Sequence, residues 1–228
     1  LLLFFKKEDL SSFVYNPMIL SITASARQAC AALLQGEDPL NAQEITADHG
    51  LADLIAPMVQ RTLQGRTPDL VAVMVGPGSF TGLRAAIAVA LGVGLASGCE
   101  TVGVTAAEAL RLAADVDGRL LWTAMDSRRS RVFLDRGEGF AAFPLDGLPN
   151  AGARIAVAGD AANAVAAALA ARGTEVMLTR LRLPSPIQVA QVGALRHLGK
   201  IPPLAAVPLY VDAPEARLPA GGLRPMPV

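Results

Sequence analysis

The chain has 228 residues, 52% of them apolar, and 20 basic residues balance 20 acidic ones. That length allows one large domain or two small lobes with a sizeable core, while zero net charge excludes a broad field for holding nucleic acid; RNA contact needs a local patch or a more basic partner. Two cysteines, Cys30 and Cys99, are too few for a disulfide framework and read as small core residues of a reducing compartment.

In chain order, Leu1 to Phe5 is apolar and Lys6 to Asp9 charged, and Asn16-Pro17 breaks the chain before Met18. Positive charge after the apolar run does not make a signal peptide, so residues 1–17 read as an extension or a disordered arm. Met18 to Thr23, Ala29 to Gln35 and Leu40 to Thr46 read as three strands of an antiparallel meander, turned at Gly36-Glu37-Asp38-Pro39. Leu51, Leu54, Ile55, Met58, Val59 and Leu63 recur at helical spacing, with Asp48 as candidate N-cap and Pro57 inside the helix.

Leu70 to Val75 has the valine-rich look of a buried parallel strand. It runs into Gly76-Pro77-Gly78-Ser79, where Ser79 is placed to cap a helix ending at Gly98. Two readings of this turn stand side by side: a phosphate cradle at a helix start, or a tight turn with close helix–sheet packing. No lysine follows as in a P-loop, and the spacing is not the dinucleotide fingerprint. From Ala85 to Ser97 the helix has no charge; Ala86, Ala90 and Gly94 form one small-residue row, and Ala88, Gly92 and Ala96 another. A helix apolar all round is buried all round, inside a large domain or against another subunit. Its uncharged run falls short of the ~20 residues of a membrane span.

Thr101 to Val104 reads as a strand and Thr105 to Glu108 as a capping box. A boundary is expected near Asp115 to Gly118. Beyond it, Leu120 to Met125, Arg131 to Asp135, Ile155 to Ala158 and Glu175 to Leu178 read as strands, and Ala162 to Ala171 as a helix. Ser185-Pro186 starts a further helix toward His197, and Leu209 to Val211 reads as a closing strand.

The segment Gly76-Pro77-Gly78-Ser79-Phe80-Thr81-Gly82-Leu83-Arg84 resembles the signature of the bacterial TsaB (YeaZ) family. Met18 to Ser25, His49 to Val59 with its internal proline, Ala124 to Phe133 and Pro208 to Val211 are similar to other segments of that family, in the expected order. The resemblance implies an α/β, two-lobed fold of the actin, sugar kinase and Hsp70 type, with ribonuclease H-like lobes on central mixed sheets. The lobes would span residues 18–116 and 117–212, with a flexible tail at 213–228. It implies a cytoplasmic, non-catalytic subunit that pairs with TsaD, and with TsaE, for threonylcarbamoyl transfer to the adenosine beside the anticodon in tRNAs reading A-starting codons. Contact with tRNA would come only through the complex, with no membrane, and a homodimer would form without the partners. The contact would use the helices His49 to Gln64 and Phe80 to Ser97, with Leu51, Leu54, Ile55, Met58, Phe80, Arg84, Ala88, Leu91, Gly92 and Leu95 as interface.

The same resemblance marks departures. Thr23 stands where many relatives keep an Asp at the end of the first strand, and a hydroxyl does not position a magnesium-bound water as a carboxylate does. Ser130 replaces a frequent glycine, and Gly159-Asp160 is a remnant of an adenosine-binding turn. Thr23, Ser25, Gly78 and Ser79 remain as degenerate phosphate-loop positions; no cofactor is expected to bind this chain tightly, ATP and magnesium being implied for the assembled complex. His49 stands alone with Asp53, short of the three or four ligands a metal needs. Ser79 has no evident His and Asp relay. Arg128, Arg129 and Arg131 form a basic cluster that either touches RNA or an acidic partner, or is a solvated hairpin tip. An autonomous actin-fold ATPase or small-molecule kinase is the alternative, and a glycoprotease-like metallopeptidase a more distant one.

Overall fold

In a computed structural model, residues 16–25, 28–47, 49–127, 130–152 and 154–212 are described. The meander is β1 (Met18–Ala24), β2 (Gln28–Gln35) and β3 (Asp38–Thr46), so Asp38 and Pro39 belong to the third strand rather than to the turn. After α1 (Leu51–Leu63), β4 (Leu70–Gly76) joins β1 in parallel, starting at Ile19 opposite Leu70. α2 (Phe80–Ser97) crosses over to β5 (Glu100–Thr105), giving a sheet of order β3-β2-β1-β4-β5. α3 (Ala106–Ala113) follows, opened by the expected capping box of Thr105 and Glu108.

The second sheet repeats this plan. β6 (Leu120–Asp126), β7 (Arg131–Asp135) and β8 (Phe140–Pro144) are antiparallel, and β9 (Ile155–Ala158) and β10 (Val176–Leu178) add in parallel on the other side of β6. Its order, β10-β9-β6-β7-β8, is the order of the first sheet read from the opposite edge. Where the first half carries α1, the second has one 3-10 turn at Leu145–Gly147; α4 (Ala162–Ala170) then takes the place of α2.

Strand β8 escaped the sequence reading because Phe-Ala-Ala-Phe-Pro has no alternation and is half exposed; its pairing with β7 defines it, and Pro144 sits where an edge strand tolerates one. The expected strand at Leu209–Val211 does not form. Leu209 N–H donates to Val75 O at 2.8 Å, but the segment makes no ladder, and the isolated bridge nearby is Val102 with Ala205. Prolines at 202, 203 and 208 remove the donors a continuous strand needs. Asp48 lies outside the described residues, and Gly50, at φ +69°, stands at the N-cap of α1.

The last helix, α5 (Pro186–His197), follows the second sheet in the chain yet packs on the first, against β4 and β1. Residues 186–206 therefore return to the first half, inside the 117–212 stretch expected to form the second lobe. Gly193 makes this possible, since a Cβ there would lie 2.5 Å from the Ala72 Cβ. One apolar core joins α3 and α5 to both sheets through Ile19, Met74, Leu121 and Ala156. A second fills the space under α1 and α2, and a third lies under α4.

Candidate functional site

The inner face of α2 is set by the small-residue row Ala86, Ala90, Gly94. A Cβ on Gly94 would fall 2.1 Å from Thr101 Oγ1, so only glycine lets the helix lie this close to β5. The other row, Ala88, Gly92 and Ala96, is therefore the outward one, and nothing lies within 4 Å of a Cβ built on Gly92. Alongside it, Phe80 is 58% exposed, Leu91 47% and Leu95 87%, with Leu54 of α1 at 43%. The uniform hydrophobicity of this helix thus has two causes: half of it serves the chain's own sheet, and half forms an apolar surface. By length and composition α2 is long and apolar enough to cross a membrane; here it is a crossover between two neighbouring strands of one sheet.

Of the ten expected interface residues, Leu54, Phe80, Arg84, Ala88, Leu91, Gly92 and Leu95 lie on this outer surface. Leu51, Ile55 and Met58 do not. They form the i, i+4, i+7 row of α1 that fills the core beneath it, and a partner does not reach them. One contributor was missed: the Tyr210 hydroxyl accepts from Arg84 Nε at 2.9 Å and Nη2 at 2.7 Å, while the Arg84 guanidinium lies 3.7 Å over the Phe80 ring. Tyr210 is 126 residues from Arg84, and no local pattern signals such a pair.

The turn before α2 brings the four phosphate-loop positions together. Ser79 caps the helix, its Oγ accepting from Gly82 N–H at 3.4 Å. A Cβ on Gly82 would be 3.0 Å from Ser25 O, and one on Gly78 3.5 Å from Ala24 O, so the end of β1 rests on the helix start. The polar atoms gathered there are already engaged. Ser25 Oγ donates to Gln28 O at 3.1 Å and accepts from Gln28 N–H at 3.2 Å, closing the β1–β2 turn. Thr23 is 5% exposed and pairs with Cys30 across the ladder. Burial pushes the Cys30 thiol up, opposed by its hydrogen bond with Thr23. Of the two readings of this turn, the geometry displays the close-packing one directly.

At the end of β6, Asp126 N–H donates to Asp160 Oδ1 at 2.7 Å. Burial pushes the Asp160 carboxyl up; the Asp126 N–H opposes this, and the Asp126 charge adds to it. Gly159, at φ +106°, has no alternative, because a Cβ there would meet Ala124 O at 2.0 Å. Ser130 sits at φ +58°, the left-handed region that explains why glycine suits this place. Arg128 and Arg129 lie outside the described residues, and Arg131 is drawn to Asp212 at 2.8 Å. His49 is exposed just ahead of α1. Among the described residues no group of three His, Cys, Asp or Glu side chains is placed to hold a metal ion.

Comparison with known proteins fits this geometry. The model of the family described as TsaD, tRNA N6-adenosine threonylcarbamoyltransferase, matches residues 46–188. The uncharacterized protein Rv3421c of Mycobacterium tuberculosis is 30% identical over 168 residues, which cover 72% of this chain and 74% of that protein. The uncharacterized protein Mb3455c of Mycobacterium bovis matches to the same extent. Among solved structures, YeaZ from Pseudomonas aeruginosa superposes with a TM-score of 0.65 at 21% identity, over 85% of this chain and 99% of its own. A Pseudomonas aeruginosa protein described as similar to peptidase YEAZ reaches 0.67 at 20% identity, over 86% and 99%. The two sheets of shared order and these superpositions give the two-lobed fold of the actin and sugar kinase type. The chain belongs to the TsaD family, tRNA N6-adenosine threonylcarbamoyltransferase, and is YeaZ-like in its fold.

Proposed function

We propose that this chain is a non-catalytic, activating subunit that pairs with a TsaD homologue, and with TsaE, in threonylcarbamoyl transfer to tRNA. The observation that carries this reading is the outer face of α2, where Phe80, Leu91 and Leu95 stand in water around the small residues Ala88 and Gly92. Apolar side chains around a strip without bulk suit the close approach of a second helix, and large exposed apolar patches mark protein contacts. Family membership supports a role tied to tRNA modification. The engagement of Thr23 in the ladder with Cys30, and of Ser25 and Ser79 in the chain's own turns, supports a partner that carries the nucleotide and the chemistry. In the absence of that partner, the same face joins two copies of this chain.

The test is co-purification with a TsaD homologue, followed by a tRNA modification assay with and without this chain. Stable pairing and strong stimulation are expected, with no turnover by this chain alone. Modification proceeding equally well without it, or tight Mg-ATP binding with turnover by the isolated chain, would reject the reading in favour of an autonomous ATPase or kinase.

A further inference from the structure

A cavity of about 360 Å³ opens between the two halves at the start of β6, some 20 Å along that strand from Asp126. It is therefore separate from both the Gly-rich turn and the outer face of α2. Its walls are apolar and come from both halves: Leu112 of α3, Val192 and Leu195 of α5, and Leu121 of β6. This volume falls in the range of small-molecule sites.

The polar groups around it are almost all donors. Arg111, Arg119 and Arg136 line the cavity from α3, the linker and the β7–β8 turn. Their carboxylate partners, Asp135, Asp117, Glu175 and Glu138, do not line it. Glu108 does, but both of its oxygens are taken, Oε1 by Arg196 at 2.5 Å and Oε2 by the Thr105 N–H at 2.8 Å. Arg119 is held through its two Nη atoms by Asp117 at 2.9 Å and Glu175 at 3.2 Å, so it edges the cavity as an engaged group. Arg136 has only a loose contact, 3.8 Å to a Glu138 that is itself in solvent. An apolar hollow edged by guanidinium groups suits one class of molecule.

We propose that this cavity binds a small amphipathic organic anion, its apolar body between Leu112, Leu121 and Leu195 and its carboxylate or equivalent group at Arg136 on the rim. Because the walls come from both halves, the bound molecule holds them at a fixed separation. The assignment stands independently of the pairing proposed above.

The test is calorimetric titration of the full chain with sodium octanoate, alongside acetate and 1-octanol. Octanoate is expected to saturate one site, with acetate and 1-octanol each at least tenfold weaker. Arg136→Ala, on an already accessible side chain, is expected to weaken octanoate at least fivefold without loss of structure. Ala114→Trp, which fills the hollow, is expected to abolish binding, with folding checked by circular dichroism. No saturable octanoate binding, equal affinity for 1-octanol, or undiminished binding by Arg136→Ala would each overturn the proposal.

Discussion

Arg196 and Glu108 meet at 2.5 Å in the space between α5 and α3, and this ion pair organises the return of the chain to the first sheet. The Arg196 side chain is 4% exposed and also donates to Pro202 O at 2.7 Å and Gly103 O at 2.5 Å. Glu108 holds the guanidinium with one oxygen and caps α3 with the other. Arg196→Met is expected to destabilise the fold by about 2–4 kcal/mol, because it leaves one oxygen of the part-buried Glu108 carboxylate and two carbonyls without their donor. Urea denaturation measures this. A loss under about 1 kcal/mol would mean that water replaces the guanidinium.

Two glycines, one on each small-residue row of α2, should behave in opposite ways. Gly92→Leu sets its Cβ where nothing lies within 4 Å and gains helix propensity, so stability should rise by about 0.5–1 kcal/mol while pairing with the TsaD homologue is lost. Gly94→Ala drives a methyl into Thr101 and should cost about 1–3 kcal/mol. Thermal melts and pull-downs of the two variants separate the inner face from the outer one. Ala88→Glu belongs with Gly92→Leu: folded, but unable to pair.

Leu95→Glu should leave the melting behaviour within about 0.5 kcal/mol of the parent, since the side chain is already in solvent. If Leu95 anchors the contact, the affinity for the partner falls by about 2 kcal/mol or more. Unchanged co-purification would remove this end of α2 from the interface.

A carboxylate placed at the end of β1 is not expected to create nucleotide hydrolysis. Thr23→Asp places a charge opposite Cys30 in a nearly closed position and should destabilise the chain by roughly 2–4 kcal/mol, with no gain in nucleotide hydrolysis. A hydrolysis assay on the purified variant checks this, and appreciable turnover would contradict it.

Asp160 supplies a pH dependence. Its carboxyl is pushed up mainly by burial, so the native state holds that proton more tightly than the unfolded chain does. The stabilisation is complete below the unfolded value and is lost as pH rises through the folded one. Asp160→Asn removes this dependence, so the parent should compare better with the variant at about pH 3 than at about pH 7. Urea midpoints at both pH values, with unchanged slopes, measure it.

Much of this was legible in the sequence because it is local. The meander, the Gly-rich turn capped by Ser79, the capping box at Thr105 and the Ser185-Pro186 helix start follow from residues within a few positions of one another. Strand β8 was not legible, because only its partner β7 makes a strand of Phe140–Pro144. The surface residues of α1 were misjudged for a related reason: spacing shows that Leu51, Ile55 and Met58 share a row with one another, but not which side the sheet lies on. The same limit applied to the two rows of α2 until Gly94 was seen against Thr101. Arg196 and Tyr210 act across 88 and 126 residues of chain, where no pattern reaches.

The two halves share a strand plan, but among the described residues only one has an α-helix between its third and fourth strands; the other has the short turn at Leu145–Gly147. A molecule with a matching shoulder on each half would link head to tail into open filaments. With a single shoulder, the pairing proposed above would stop at one neighbour.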